Sequence, residues 1–149
     1  MAKPLDQVMP FNKIRIKTMC AFINRGKVLA CAGRDDVKRQ NFFRLIGGGL
    51  EFGETAEQGI RREVREELNS EIKNLEFIGV VQNIFEYRGR KGHQIVFLFK
   101  GKLEQELSEK ARIIISEAYG ELEAQCISCQ DVLENKIKLY PEFDYSRIF

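Results

Sequence analysis

Three carboxylates, Glu63, Glu66 and Glu67, lie at positions i, i+3 and i+4. On a helix, at about 100° per residue, they share one arc roughly 100° wide. Like charges at this spacing repel each other. Glu66 and Glu67 also fall in the last turn, where the helix dipole disfavours anions. A sequence chosen for helix stability alone would carry Lys there. Arg62 can reach Glu66 at i+4, and Arg61 and Arg65 are near, so one reading is a solvated acidic face relieved by its neighbours. The other is a cation site. The carboxylates border an apolar stripe and follow a glycine-dense stretch. Clustered hard oxygens at such a boundary suit Mg²⁺ or Mn²⁺, with water positions left for substrate phosphates.

These side chains need a frame. Thr55 to Leu68 is rich in helix formers and free of proline, with Gly59 its one weak spot. Ile60, Val64 and Leu68 recur at i, i+4 and i+8, a stripe for packing on a sheet. Asn69 is a C-terminal stop. Before the helix, Lys13, Arg15 and Lys17 alternate with Ile14 and Ile16 at strand period and run into the apolar stretch Met19 to Ile23. Asn24-Arg25-Gly26 turns the chain into a second strand, Val28 to Ala32, giving a hairpin. Arg34 to Asn41 reads as a loop and Phe42 to Ile46 as a short strand that Gly47-Gly48-Gly49 breaks. After the helix, Leu75 to Tyr87 and His93 to Lys102 read as long strands joined by the turn 88–92. Leu103 to Ala118 has no clear pattern. Leu122 to Ser128 reads as a strand and Asp131 to Asn135 as a short helix. The first ten residues read as a loose tail.

Composition sets the outer bounds. The chain has 149 residues, 44% hydrophobic and 31% charged, which suits one folded domain over 1–149 and excludes a disordered chain. Lys plus Arg number 24 against 22 Asp plus Glu. That balance argues against a nucleic-acid polymer as partner and against a polybasic membrane anchor. No apolar run reaches the roughly 18 residues of a membrane span, and the N-terminus lacks the apolar core of a secretory signal. The expectation is therefore a cytoplasmic protein. In a reducing compartment Cys20, Cys31, Cys126 and Cys129 are expected as free thiols. Cys126 and Cys129 form a CxxC pair with no second pair to complete a zinc site.

The spacing across 48–70 is more specific than the cluster. From Gly48, five residues lead to Glu54, seven more to Arg62-Glu63, then Val64, one residue, and Glu66-Glu67. This resembles the Nudix box: Gly, five, Glu, seven, Arg-Glu, aliphatic, one, Glu-Glu, one, Gly, aliphatic. Every charged position matches. The tail departs, with Asn69 and Ser70 in place of Gly and an aliphatic residue, and Ile46 replaces a common proline. The resemblance is clearest over 13–135. It implies an α/β fold, a Nudix-type α/β/α sandwich with a mixed β-sheet and a loop-helix-loop box.

The resemblance also implies roles. Glu66 and Glu67 match metal ligands, Glu63 a ligand or base, and a backbone carbonyl at Gly47 a further ligand. Glu54 and Arg62 match a pair that braces the loop. Glu117, with Glu121 second, stands as a base outside the box. By their places at the end of the second strand and just before the glycine run, Arg34 and Arg44 are read either as phosphate contacts or as ordinary surface arginines, while Tyr87 resembles a substrate contact in dinucleoside polyphosphate hydrolases. The implied activity is hydrolysis, with Mg²⁺ or Mn²⁺, of the pyrophosphate in a nucleoside diphosphate derivative: a dinucleoside polyphosphate, a nucleoside triphosphate or ADP-ribose. The partner implied is a small-molecule nucleotide, and homodimers are frequent among such proteins. A catalytically inactive, nucleotide-binding regulatory domain is the alternative from another class. Phe85, Tyr87, Phe97 and Phe99 are expected chiefly as core, and His93 as structural.

Overall fold

Two dipeptides with both φ angles positive, Arg25-Gly26 (51° and 72°) and Arg88-Gly89 (51° and 77°), make the tight turns of the sheet. This backbone combination matches the right-handed twist of flanking strands. In the computed structural model, which describes residues 12–117 and 120–149, the first turn joins β1 (Ile14–Asn24) to β2 (Lys27–Asp35). After β3 (Gln40–Gly49) come helix α1 (Ala56–Leu68) and then β4 (Ile72–Tyr87), which the second turn joins to β5 (Arg90–Leu103). The remainder is β6 (Arg112–Glu117), β7 (Gly120–Ser128), α2 (Cys129–Leu133), β8 (Leu139–Tyr140) and a 3-10 turn, Tyr145–Arg147. The expected tail, 1–10, lies outside the described residues, as does Ala118.

The strands run in the order β4-β5-β1-β3-β2-β7-β6, with β8 on β3. β1–β5 and β3–β8 are parallel and the other pairs antiparallel, so the sheet is mixed as expected. On one face α1 lays Ile60 and Val64, both fully buried, against Cys20, Leu29 and Ile46. Burying side chains of this size contributes about 2 kcal/mol each. On the other face α2 and the C-terminal segment cover Met19, Ala30, Leu45 and Leu98 with Val132, Leu139 and Tyr145.

Helix α1 keeps its expected limits because both ends are capped. Thr55 and Gln58 form a reciprocal capping box, and Asn69 sits in the left-handed conformation with its N–H on Arg65 O at 3.1 Å. Gly59 has a packing reason. A Cβ there would stand 2.7 Å from Leu50 Cδ1 and 3.2 Å from Thr18 Cγ2. Nearby, the buried Thr18 donates Oγ1–H to Ala56 O at 3.0 Å, tying β1 to the first helical turn.

Three expectations need correction. The glycine run does not break its strand: β3 extends through Gly49, and Met19 and Thr18 pair with Gly47 and Gly48. A Cβ on Gly47 would stand 2.7 Å from Met19 Cα, so glycine is what lets β1 approach. The turn after Tyr87 has two residues rather than five, with Tyr87 opposite Arg90. The loop after Arg34 is shorter than expected: Arg34 and Asp35 still belong to β2, Gln40 and Asn41 already to β3, and only 36–39 form the turn. In β1 the alternation holds but the charged side is the inner one. Ile14 and Ile16 are exposed, while Arg15 and Lys17 are half-buried.

Candidate active site

Arg62 is the hub of the box. Its Nε and Nη2 donate to Glu54 Oε2 and Oε1 at 3.0 and 2.7 Å, a two-pronged bond between planar groups. Nη2 also donates to Gly49 O at 3.1 Å. Glu54 Oε1 in turn accepts the Glu51 amide at 2.8 Å. The loop 49–54 is thus pinned to the helix by one guanidinium. The Arg62 hydrogen bond, followed by the Glu51 amide, holds the Glu54 carboxyl at about 2, against an ordinary value of 4.5. Glu54 reciprocally raises the affinity of Arg62 for its proton.

The remaining Arg62 nitrogen faces the acidic arc. Nη1 donates to Glu63 Oε1 at 3.0 Å and to Glu66 Oε2 at 3.3 Å. The expected i+4 relief of Glu66 is therefore present. Glu63 is largely enclosed, at 12% side-chain exposure against 58% for Glu66. It lies against Gly48: a Cβ there would stand 2.7 Å from Glu63 Oε2 and nearer still to Oε1. Glu67 is half-buried one residue further on. Among the described residues, no three Asp, Glu, His or Cys side chains converge into a ready-made cation cluster. The donor set nevertheless fits a hard divalent ion. Carboxylate oxygens line one helix arc, and Glu63 rests in a hollow that only glycine leaves open.

A cavity of about 370 Å³ lies over the neighbouring strands. Its floor is polar, with Asn83 on β4 and Gln94 on β5 directly opposite each other in register. Its walls carry Phe42, Phe85, Tyr87 and Tyr140, and Arg15, Lys17 and Arg44 bring positive charge. The box carboxylates do not line it, but the two regions share strands. Lys17 is the register partner of Gly49, and Arg44 precedes the glycine run on β3.

Phe42 and Phe85 each lie over the glycine opposite them. Gly33 pairs with Phe42, and Gly92 with Phe85. A Cβ on either glycine would stand 2.6 Å from a ring carbon. Phe42 meets Tyr87 and Tyr140 edge to face, with centroids 5.9 and 5.6 Å apart. At the mouth, the almost fully buried Asp35 accepts the Val37 and Lys38 amides on Oδ1 at 2.9 and 3.1 Å, and the Arg88 amide on Oδ2 at 3.0 Å. These donors, the Arg88 amide foremost, hold its carboxyl below the usual range. Asp35 thereby joins the β2–β3 turn to the β4–β5 turn.

The residues expected from the sequence divide accordingly. Glu63, Glu66 and Glu67 share one helical arc, with Gly47 and Gly48 beside Glu63, and Glu54 and Arg62 make direct contact. Arg44 and Tyr87 line the cavity, as does Glu121. Arg34 is turned elsewhere, with Nη1 on Asn41 Oδ1 at 2.9 Å and Nε on Asp36 at 3.2 Å, and it is not part of the lining. Glu117 ends β6, but its side chain lies outside the described residues. Phe85 and Tyr87 serve the cavity rather than the core, whereas Phe99 is buried beneath α1 as expected. None of the four cysteines is in a disulfide, and burial pushes the thiols of Cys20, Cys126 and Cys129 up, the last to about 11. That makes them poor nucleophiles. Sequence reasoning missed Asn83, Gln94 and Asp35. A two-residue reading of the Arg88-Gly89 turn would have found the first two, because counting outward from it sets Asn83 against Gln94.

Comparison with known proteins adds the family. The sequence model of the NUDIX domain matches residues 14–143. Among solved structures, a MutT protein from Bacillus halodurans superposes with a TM-score of 0.56 at 22% identity, over 85% of this chain and 75% of that one. A NUDIX hydrolase from Nitrosomonas europaea gives 0.56 at 17% identity, over 87% and 82%. A protein described as an ADP compounds hydrolase gives 0.50 at 17%, over 89% and 66%. At such identities these likenesses speak for the fold.

Proposed function

The chain belongs to the NUDIX domain family and is a Nudix pyrophosphohydrolase; we propose that it catalyses Mg²⁺-dependent hydrolysis of the pyrophosphate linkage in a small nucleoside diphosphate derivative, with Mn²⁺ as a substitute. The substrate class comprises dinucleoside polyphosphates, nucleoside triphosphates and ADP-ribose. The observation that carries this reading is the Arg62 hub. One guanidinium braces the loop through Glu54 and Gly49 O while its third nitrogen holds Glu66 and also Glu63, which lies against Gly48.

In this reading Glu63, Glu66 and Glu67, with a backbone oxygen at Gly47, hold the divalent ion. The ion supplies charge neutralisation at the phosphate oxygens and a more acidic water. The protein's own part is placement. Arg62 fixes the direction of the Glu63 carboxylate, and the Gly48 hollow keeps it from turning away. Glu63 is also one candidate to take the proton from the attacking water; Glu117 and Glu121 are the candidates outside the box. Arg44 and Lys17 bring positive charge to the cavity, where phosphate oxygens extending from the box would meet them. Tyr87 offers a ring wall to the substrate.

The test is phosphate release across a panel of dinucleoside polyphosphates, nucleoside triphosphates and ADP-ribose, with and without Mg²⁺. Cleavage of at least one compound only with the ion, abolished in Glu67→Gln, is the expected result. Tight binding of a nucleotide without turnover would instead indicate a regulatory domain, and equal turnover in Glu67→Gln would remove the assigned ligand set.

A further inference from the structure

Asn83 and Gln94 line a cavity that also carries four aromatic rings, those of Phe42, Phe85, Tyr87 and Tyr140. Asn83 is 5% exposed and Gln94 8%. Nδ2 of Asn83 donates to Oε1 of Gln94 at 3.2 Å. A primary amide offers two donor hydrogens and an acceptor oxygen, so one shared bond leaves most of this capacity unused. Among the described residues no buried side-chain N or O atom lacks a partner or contact with solvent. Both side chains line the cavity, which puts the amide pair within reach of a ligand there. The opposite amide assignment would exchange the two roles but keep the pair able both to donate and to accept.

We propose that the Asn83–Gln94 pair reads the edge of a nucleobase held between the aromatic walls of this cavity. A base edge presents an adjacent donor and acceptor, the complement of the pair. The ring faces have their own partners: Phe42 and Phe85, each lying over its opposite glycine, and Tyr87 and Tyr140 beside them. The volume, about 370 Å³, lies near the low end of the roughly 300–1,000 Å³ of small-molecule pockets. It suits one nucleoside rather than two. A site built on buried hydrogen-bonding groups rejects ligands that leave those groups unpaired. The pair is therefore the specificity determinant, and it acts apart from the box carboxylates. The inference deepens the reading of the chain as a nucleotide pyrophosphohydrolase and rests on it for its link to turnover.

Two measurements on the full chain separate the two claims. In the first, the ¹⁵N-labelled protein is titrated in EDTA with AMP, GMP, CMP and UMP, and with ribose 5-phosphate as a base-free control. The side-chain NH₂ signals of Asn83 and Gln94 are assigned by their loss in Asn83→Leu and Gln94→Met. These signals are expected to move with at least one nucleotide and to stay in place with ribose 5-phosphate. No movement with any nucleotide, or equal movement with the control, would overturn the proposal. In the second, kcat/KM is compared across the four bases on one cleaved linkage. The ratio of best to worst base is expected to shrink at least about tenfold in Asn83→Leu/Gln94→Met, and to change in the isosteric Gln94→Glu, which guards against misfolding of the first variant. An unchanged ratio in both would also overturn it. If the NH₂ signals move but wild-type protein cleaves nothing, the base site stands and the hydrolase reading fails. If cleavage persists with an unchanged ratio, the reverse holds.

Discussion

The carboxylate of Glu63 fills the space that a side chain on Gly48 would need. The contact joins the last residues of β3 to the middle of α1, and it makes glycine at 48 a condition for the pose of Glu63 rather than for the fold. Gly47, one residue earlier, meets backbone instead, with Met19 Cα and the Thr18 carbonyl carbon at 2.7 and 2.9 Å from its missing Cβ.

The two glycines should therefore fail differently. Gly48→Ala is expected to fold, because the far end of Glu63 can swing aside, and to lose on the order of 100-fold in kcat, as a misplaced catalytic group does. Gly47→Ala is expected to lose at least about 2 kcal/mol of stability, because packed backbone has to move. Urea unfolding and steady-state kinetics on both variants check the contrast.

Acid should weaken the protein through Glu54. Its carboxyl is held at about 2 in the fold against 4.5 ordinarily, chiefly by the Arg62 hydrogen bond. The unfolded chain binds the proton first, so the stabilisation is complete above about pH 4.5 and fades as pH falls toward 2. Urea midpoints over that range should fall less steeply in Glu54→Gln, which is already weakened at neutral pH.

Alkali should act through Cys129. Burial pushes its thiol from 9.0 to about 11. The unfolded state releases its proton first, so stability is complete below about pH 9 and declines as pH rises toward 11. Cys129→Ala should flatten that decline in thermal melts recorded between those values.

The Thr18 hydroxyl gives a smaller, structural prediction. Thr18→Val keeps the shape but leaves Ala56 O without its 3.0 Å donor. A loss of about 1 kcal/mol is expected from chemical denaturation.

What the sequence revealed about this molecule follows the range of its interactions. Helix α1 was legible to within a residue because its caps, Thr55 and Asn69, and its stripe, Ile60 and Val64, are local signals. The Glu54–Arg62 contact was legible because both residues belong to one short spacing. The glycine run misled, since glycine weakens strands on average and only the approach of β1 explains it here. The cavity was hidden for a related reason. Its residues come from strands far apart in sequence, and Asn83 meets Gln94 only if the intervening turn is two residues long. Arg15 and Lys17 were placed on one side of β1 correctly, but nothing local said that this side faces inward.

Asp35 fixes the gauge of the cavity's entrance. Because a single carboxylate grips amides from both rim turns, and Lys38 adds a 2.7 Å bond to Glu86 O, neither lip can swing out while its neighbour stays put. The two turns are thus tied to each other before any guest arrives.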